Sequence, residues 1–135
     1  MVSLHAWLSS DIRGTTSGQA IVFDQVDTNL GGGYNGTIGV FTAPVAGQYQ
    51  FSLTFMLYFP SSSYSYTGIL DVLKNGNMII RVRADTHGQI GNFDTASGST
   101  VIGLNKGDKV SVVVGTANMC IYAFRFTYFS GVFLG

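Results

Sequence analysis

The sequence predicts an all-β fold, a sandwich of about ten short antiparallel strands. Three observations carry that prediction. Apolar and aromatic residues alternate with polar ones at a period of two, most clearly from Gly47 to Phe59. Eighteen glycines and the turn pair Asn75-Gly76 punctuate these runs. No stretch shows the 3.6-residue period of a helix, and no repeat of 20–50 residues or low-complexity tract interrupts the chain.

Taken in order, Ser3–Leu8 sets Leu4, Ala6 and Leu8 against Ser3, His5 and Trp7, a short strand. Asp11–Gln19 reads as a loop and Ala20–Phe23 as another short strand. From Phe23 to Phe51, rings recur at Phe23, Tyr34, Phe41, Tyr49 and Phe51, while Asn29, Pro44 and Gly47 stand where a chain turns. The longest strand is expected at Gly47–Phe59. Tyr49, Phe51, Leu53, Phe55, Leu57 and Phe59 share one face, and Gln48, Gln50, Ser52, Thr54, Met56 and Tyr58 the other. Pro60 ends it, and Ser61–Tyr66 follows as a polar loop. Gly68–Lys74 and Asn77–Ala84 form a hairpin about Asn75-Gly76, a pair suited to the two positive φ values of a type I′ turn. Thr86–Thr95 is a loop, Ser99–Leu104 a strand, Asn105–Asp108 a turn and Lys109–Val114 a strand. The last strand is expected at Cys120–Phe129, where Tyr122, Phe124, Phe126 and Tyr128 alternate with Ala123, Arg125 and Thr127.

A chain of 135 residues is one domain, 1–135, long enough to bury a core. Seven Lys and Arg balance seven Asp, with no Glu, and charged residues are only 10% of the chain. That balance lacks the basic excess nucleic acid requires, and it offers nothing to an anionic membrane surface. No run of eighteen apolar residues exists to insert into a bilayer. So few charges beside 46% hydrophobic residues favour burial of surface between copies. Cys120 is the only cysteine, so no intrachain disulfide forms, and it is expected to pack as a small hydrophobe. The opening MVSLHAWLSS lacks the basic and long apolar regions of a signal peptide. The expectation is a mature chain, or one that never enters the secretory route. Asn35-Gly36-Thr37 is an N-glycosylation sequon, which fits secretion if occupied.

The rings also carry a resemblance. Phe23, then Asn29, Tyr34 and Phe41 at their spacings, closing with Gly47, Tyr49 and Phe51, resemble the signature of the C1q globular domain. Leu53 stands where that signature expects an aromatic. Leu104-x-Lys-Gly-Asp-x-Val110 and the closing FSGVFLG of Phe129–Gly135 resemble the family too. The resemblance implies a single C1q-like domain with the ten-stranded antiparallel jelly roll of the C1q/TNF type. It also implies a homotrimer, or a heterotrimer with a related chain. The semi-apolar second faces of Gly47–Phe59 and Cys120–Phe129 give association a physical footing.

Catalytic patterns are missing: no Gly-x-Ser-x-Gly, no His-x-x-x-His, no cysteine pair and no phosphate loop, and His5 and His87 lie far apart. The expectation is a protein that is not an enzyme and holds no cofactor. Calcium, which family members bind, asks for six to eight oxygen ligands. Asp71, Asp85 and Asp94 are too sparse for a cage in one chain, so a calcium ion would need ligands pooled from three.

Carbohydrate is the ligand class the loops favour. In an antiparallel jelly roll alternate loops emerge together, which gathers Ser61–Tyr66, Asp85–Thr95 and Thr116–Cys120 at the end far from the termini. They supply Tyr64, Tyr66, Asp85, His87, Gln89, Asn92, Asp94 and Asn118. Rings stack on pyranose faces, and carboxylates and amides bind vicinal hydroxyls. Arg81 and Arg83 lead into the middle loop, where a guanidinium can clamp the carboxylate of a sialic acid. The chain resembles short invertebrate C1q-domain proteins without a collagen stalk, and no Gly-X-Y repeat is present. That resemblance implies a secreted, lectin-like molecule of innate immunity, binding sialylated or N-acetylated glycans multivalently. The alternatives are a trimeric C1q/TNF-type signalling ligand for a protein receptor, or a structural protein of the extracellular matrix.

Overall fold

The computed structural model describes every residue, Met1–Gly135. Twelve strands form two facing antiparallel sheets. They are β1 (Ser3–Leu8), β2 (Ile12–Arg13), β3 (Gln25–Leu30), β4 (Tyr34–Asn35), β5 (Val40–Thr42), β6 (Gly47–Phe59), β7 (Thr67–Lys74), β8 (Asn77–Asp85), β9 (Asn92–Leu104), β10 (Lys109–Val114), β11 (Cys120–Tyr122) and β12 (Phe124–Phe133). The larger sheet runs β2-β11-β6-β12-β1-β3, with β9 on the other side of β6; the smaller runs β4-β5-β10-β7-β8. Along one side β6 meets β12 through Tyr49–Thr54 and then β11 through Met56–Tyr58. β11 and β12 are thus two halves of one course, as are β1 and β2, and merging them leaves the expected ten-stranded jelly roll.

The period-two face of β6 builds the core. Tyr49, Phe51, Leu53, Phe55 and Leu57 are fully buried and Phe59 nearly so. Phe51 stacks on Phe129 at 5.6 Å and meets Phe41 edge-on at 5.5 Å. Phe23 also stacks on Phe129, and all five signature rings, Tyr34 among them, lie in one buried cluster with Phe129. Tyr34 donates from its hydroxyl to the Phe23 carbonyl at 2.8 Å. Asn29 closes the intervening turn by exchanging two side-chain hydrogen bonds with the Tyr34 backbone. At the β7–β8 turn Asn75 (φ 49°) and Gly76 (φ 83°) adopt the positive angles that their pairing requires.

Four expectations are corrected. The strand expected at Ser99–Leu104 begins at Asn92, because β9 pairs with β6 along all thirteen residues. Ladder hydrogen bonds, rather than an apolar pattern, hold that polar stretch. Gln25–Leu30, unassigned from the sequence, is a strand on β1. The Ala20–Phe23 strand reduces to a bridge from Ala20 to Val113 and a hydrogen bond from the Ile21 amide to the Val112 carbonyl. The last strand is not one run either: it breaks after Tyr122, and Phe124 takes a φ of 68°. Around this break Phe124, Arg125 and Phe126 are all exposed, and the inward positions resume at Thr127 and Phe129.

Candidate functional site

The distal end is laced together by backbone hydrogen bonds. Ser65 donates its amide to the Asn118 carbonyl at 2.7 Å, and Thr86 donates its amide to the Tyr66 carbonyl at 2.9 Å. Asn118 donates from Nδ2 to the Ser63 carbonyl, and the Thr86 hydroxyl donates to Tyr66. Ser61–Tyr66 therefore lies between the other two loops and holds both, as the strand count predicts.

On this frame the candidate residues separate. Tyr66 is half-exposed, its ring edge-on to Phe59. Asp85, the last residue of β8, accepts the His87 amide at 2.7 Å, with the Arg83 guanidinium 3.6 Å away and the His87 ring 3.8 Å away. His87 sits at a φ of 56°, an angle that turns its largely exposed ring outward. Tyr64 is half-buried, near Gly14 and Asn118. Gln89 accepts the Asn92 amide through its carbonyl, at the exposed tip with Ile90.

Asn92 and Asp94 belong to β9 rather than to the loop. Asn92 donates to the Thr86 carbonyl at 3.3 Å, and Asp94 accepts the Asp85 amide at 2.8 Å. Asp94 braces the site from a half-buried position, and Asn92 does so while exposed. Arg81 stands apart. It is opposite Asp71 in the ladder, four residues before Asp85 along β8, and so roughly 13 Å from the loops. Its guanidinium makes a bidentate pair with Asp71 at 2.8 and 2.9 Å. Those hydrogen bonds first, and the Asp71 charge second, raise its pKa further. Arg81 is thus committed to covering a buried carboxylate, and only Arg83 is free to serve the loops. Asp71 is likewise separated from Asp85 and Asp94, and no three His, Cys, Asp or Glu side chains gather to hold a metal.

A second feature, only partly legible in the sequence, is the outer face of the larger sheet. Rings touch in series across it: Tyr58–Phe93 stacked at 4.4 Å, Phe93–Tyr122 at 5.2 Å, Tyr122–Phe126 at 5.9 Å, Phe126–Phe124 at 6.5 Å and Phe124–Trp7 at 5.2 Å. Arg13 lies over Tyr58 and Arg125 over Trp7. Asp27 fixes the second of these, accepting from Arg125 at 2.5 Å and from the Trp7 indole at 3.3 Å. The Arg125 hydrogen bond and then that of Trp7 lower the Asp27 pKa. Toward the base the same face becomes small and hydroxylic, with Ser52, Thr54, Ser97, Ser99, Ser130 and Tyr128 along shallow troughs. Phe93 and the Phe124–Phe126 pair were missed as candidates because the first lies in an apparent loop and the second beside a bulge.

The profile of the C1q domain matches residues 4–134. The chain belongs to the C1q domain family. Human complement C1q tumor necrosis factor-related protein 3 is 30% identical over 134 residues, covering 98% of this chain and 51% of that protein. The chain thus spans about half the length of this curated relative. Among solved structures, the globular domain of zebrafish complement 1qA aligns with a TM-score of 0.74 at 15% identity, over 100% of this chain and 98% of that one. Eiger TNF from S. frugiperda aligns with a TM-score of 0.77 at 12% identity, over 99% and 92%. At those identities the likeness is one of fold. This C1q domain shares the C1q/TNF jelly roll, with its aromatic outer face and its distal loops on different parts of the sandwich.

Proposed function

We propose that this C1q domain is an extracellular recognition module that assembles as a trimer and binds glycans through its distal loops. One observation carries the ligand reading: laced loops hold the exposed Tyr66 ring near the Arg83–Asp85–His87 group. A ring for a pyranose face, a carboxylate for vicinal hydroxyls and a guanidinium for an acidic substituent form a sugar-recognition set. The role is binding rather than catalysis, and each site is weak alone and strengthened by repetition.

Charge contrast between the two sheets supports the assembly. The outer face of the larger sheet carries Arg13 at its rim and the Arg125–Asp27 pair. The outer face of the smaller sheet carries Asp71, Arg81, Arg83, Asp85 and Lys109. Strand β9, moreover, is an edge of thirteen residues paired only with β6, with Phe93 and Val101 exposed along it. Left open, such an edge templates uncontrolled association. Packing it on the low-charge face of the next copy covers both features, and three copies close the ring.

A glycan array probed with the trimer, with and without calcium, tests the reading. Binding that soluble sugar competes away supports it; no binding to any sialylated, N-acetylated or neutral glycan sinks it. Ile90, 67% exposed at the distal tip, favours a second reading: an apolar contact for a protein receptor. Under that reading receptor binding survives sugar competition.

A further inference from the structure

We propose that Asn35 carries an N-linked glycan on the flank of the sandwich formed by β3 and β4. The inference rests on the extracellular reading above, since the oligosaccharide donor is met in the secretory route. Two Asn-x-Ser/Thr/Cys triplets occur in the chain, Asn35-Gly36-Thr37 and Asn118-Met119-Cys120. The fold treats them oppositely.

Asn35 ends β4 with its side chain exposed, because the alternating neighbour Tyr34 points into the core. Its carbonyl accepts the Gly39 amide at 2.8 Å, which closes a turn bearing the exposed Thr37 and Ile38. Its Oδ1 accepts the Thr37 amide at 2.9 Å, and its Nδ2 donates to no group of the protein. The atom to be modified is therefore the free one. At Asn118 the situation is reversed. Nδ2 is spent on the Ser63 carbonyl, and Met119 and Cys120 are buried behind it. A glycan there would unlace the distal loops.

In the transfer, Asn35 Nδ2 attacks the anomeric carbon of a polyprenyl-diphosphate oligosaccharide. The N–C bond forms and the C–O bond to diphosphate breaks. The diphosphate leaves with the electron pair, and Nδ2 gives up one proton to a carboxylate base of the transferase. In the folded product Oδ1 remains able to accept the Thr37 amide, so the modification is compatible with the turn. The first sugar would lie over Ile38, which is 54% exposed with nothing else to shield it. This flank is opposite the β8–β9 side, so the glycan leaves the β9 edge uncovered.

Secretion from insect cells behind a cleavable leader, followed by intact-mass measurement before and after peptide-N-glycosidase, tests the assignment. The wild-type chain should carry one glycan that the enzyme removes, turning Asn35 to Asp. Asn35→Gln and Thr37→Ala should emerge at bare chain mass, while Thr37→Ser and Asn118→Gln should stay modified. Secreted wild type at bare mass overturns the inference and leaves the extracellular reading standing, as does a glycan that survives Asn35→Gln. A glycosylated chain retained inside the cells upholds the inference and counts against the extracellular reading. Light scattering of Asn35→Gln should return the wild-type number of chains, because the exposed Asn35 amide bonds only within its own turn.

Discussion

Phe51 and Gly131 face each other across the β6–β12 ladder, and the pair allows the core to be tested from both sides. The Phe51 ring is fully buried, stacked on Phe129 with 5° between planes and on Tyr49 at 6.1 Å. A Cβ at position 131 would fall 2.7 Å from two atoms of that ring, closer than real contacts allow. Removing the ring in Phe51→Ala should cost about 3–5 kcal/mol, with the stacked pairs inside that figure. Against a stability of about 5–15 kcal/mol this is a large share. At this length about 1 kcal/mol moves Tm by roughly 4 °C, so the variant should melt some 12–20 °C early. Gly131→Ala should cost about 1–3 kcal/mol by overpacking, since the ring is pinned by Phe41 and Phe129 and has nowhere to go. Shortening the ring in Phe51→Leu should recover part of that loss, so the double variant should beat the sum of the singles by about 0.5–3 kcal/mol. The assay is thermal and urea unfolding at one fixed chain concentration, because assembly adds to apparent stability. A Gly131→Ala variant melting within a degree or two of wild type, or singles that simply add, would refute this packing.

Three further outcomes are expected. Phe126→Asp on the aromatic face should drop the light-scattering mass from three chains to one, whereas Ser111→Asp on the other sheet should not; a trimeric Phe126→Asp removes the proposed interface. Burial pushes the Tyr34 phenol up to about 12, partly offset by its bond to Phe23. The unfolded chain therefore releases this proton first, near pH 10, and stability should fall by about 2–3 kcal/mol between pH 10 and 12. Tyr34→Phe should flatten that alkaline limb, and an unchanged slope contradicts the assignment. At the distal end, Tyr66→Ala or Arg83→Ala should weaken glycan binding about 10- to 100-fold per site, as expected for one lost charge-assisted bond or stacking surface. Arg81→Ala should instead lower the melting temperature and leave affinity alone, because it strips the partner from Asp71; loss of binding there would return Arg81 to the site.

What was legible in the sequence was whatever repeats with large side chains. Six inward residues on β6, the five signature rings and the Asn75-Gly76 turn all report through size or positive φ, and each stands where expected. β9 was half-hidden for a physical reason. Its inward positions are small because β8 lies close: a Cβ at Gly98 would sit 2.8 Å from Val82. A strand selected for thinness shows no hydrophobic period. The bulge after Tyr122 was hidden differently, since an even alternation of Tyr122, Phe124, Phe126 and Tyr128 reads as one regular face. Only the backbone angle at Phe124 records the break, because the rings keep the outer face on both sides of it. At the site, loop convergence followed from strand counting. Arg81 did not, because parity places it with Arg83 and Asp85 without saying how far along the strand the loops begin, or that Asp71 lies opposite.

The two candidate surfaces meet in β9. Its odd-numbered positions, Phe93 to Val101, lie on the outer face that association would cover, while Asp94 reaches back to the Asp85 amide at the distal loops. Packing a neighbour against β9 would therefore fix the strand that braces the site. An axis running roughly along the strands also carries every distal end to the same side of a closed ring. Under the proposed reading, three shallow sites held coplanar would suit a clustered glycan surface, where modest affinity per site multiplies once the first contact is made. A shallow site depends on that arrangement more than a deep pocket would, and the distal end has no deep pocket: only an exposed ring, a guanidinium and a carboxylate on loops held by their own hydrogen bonds.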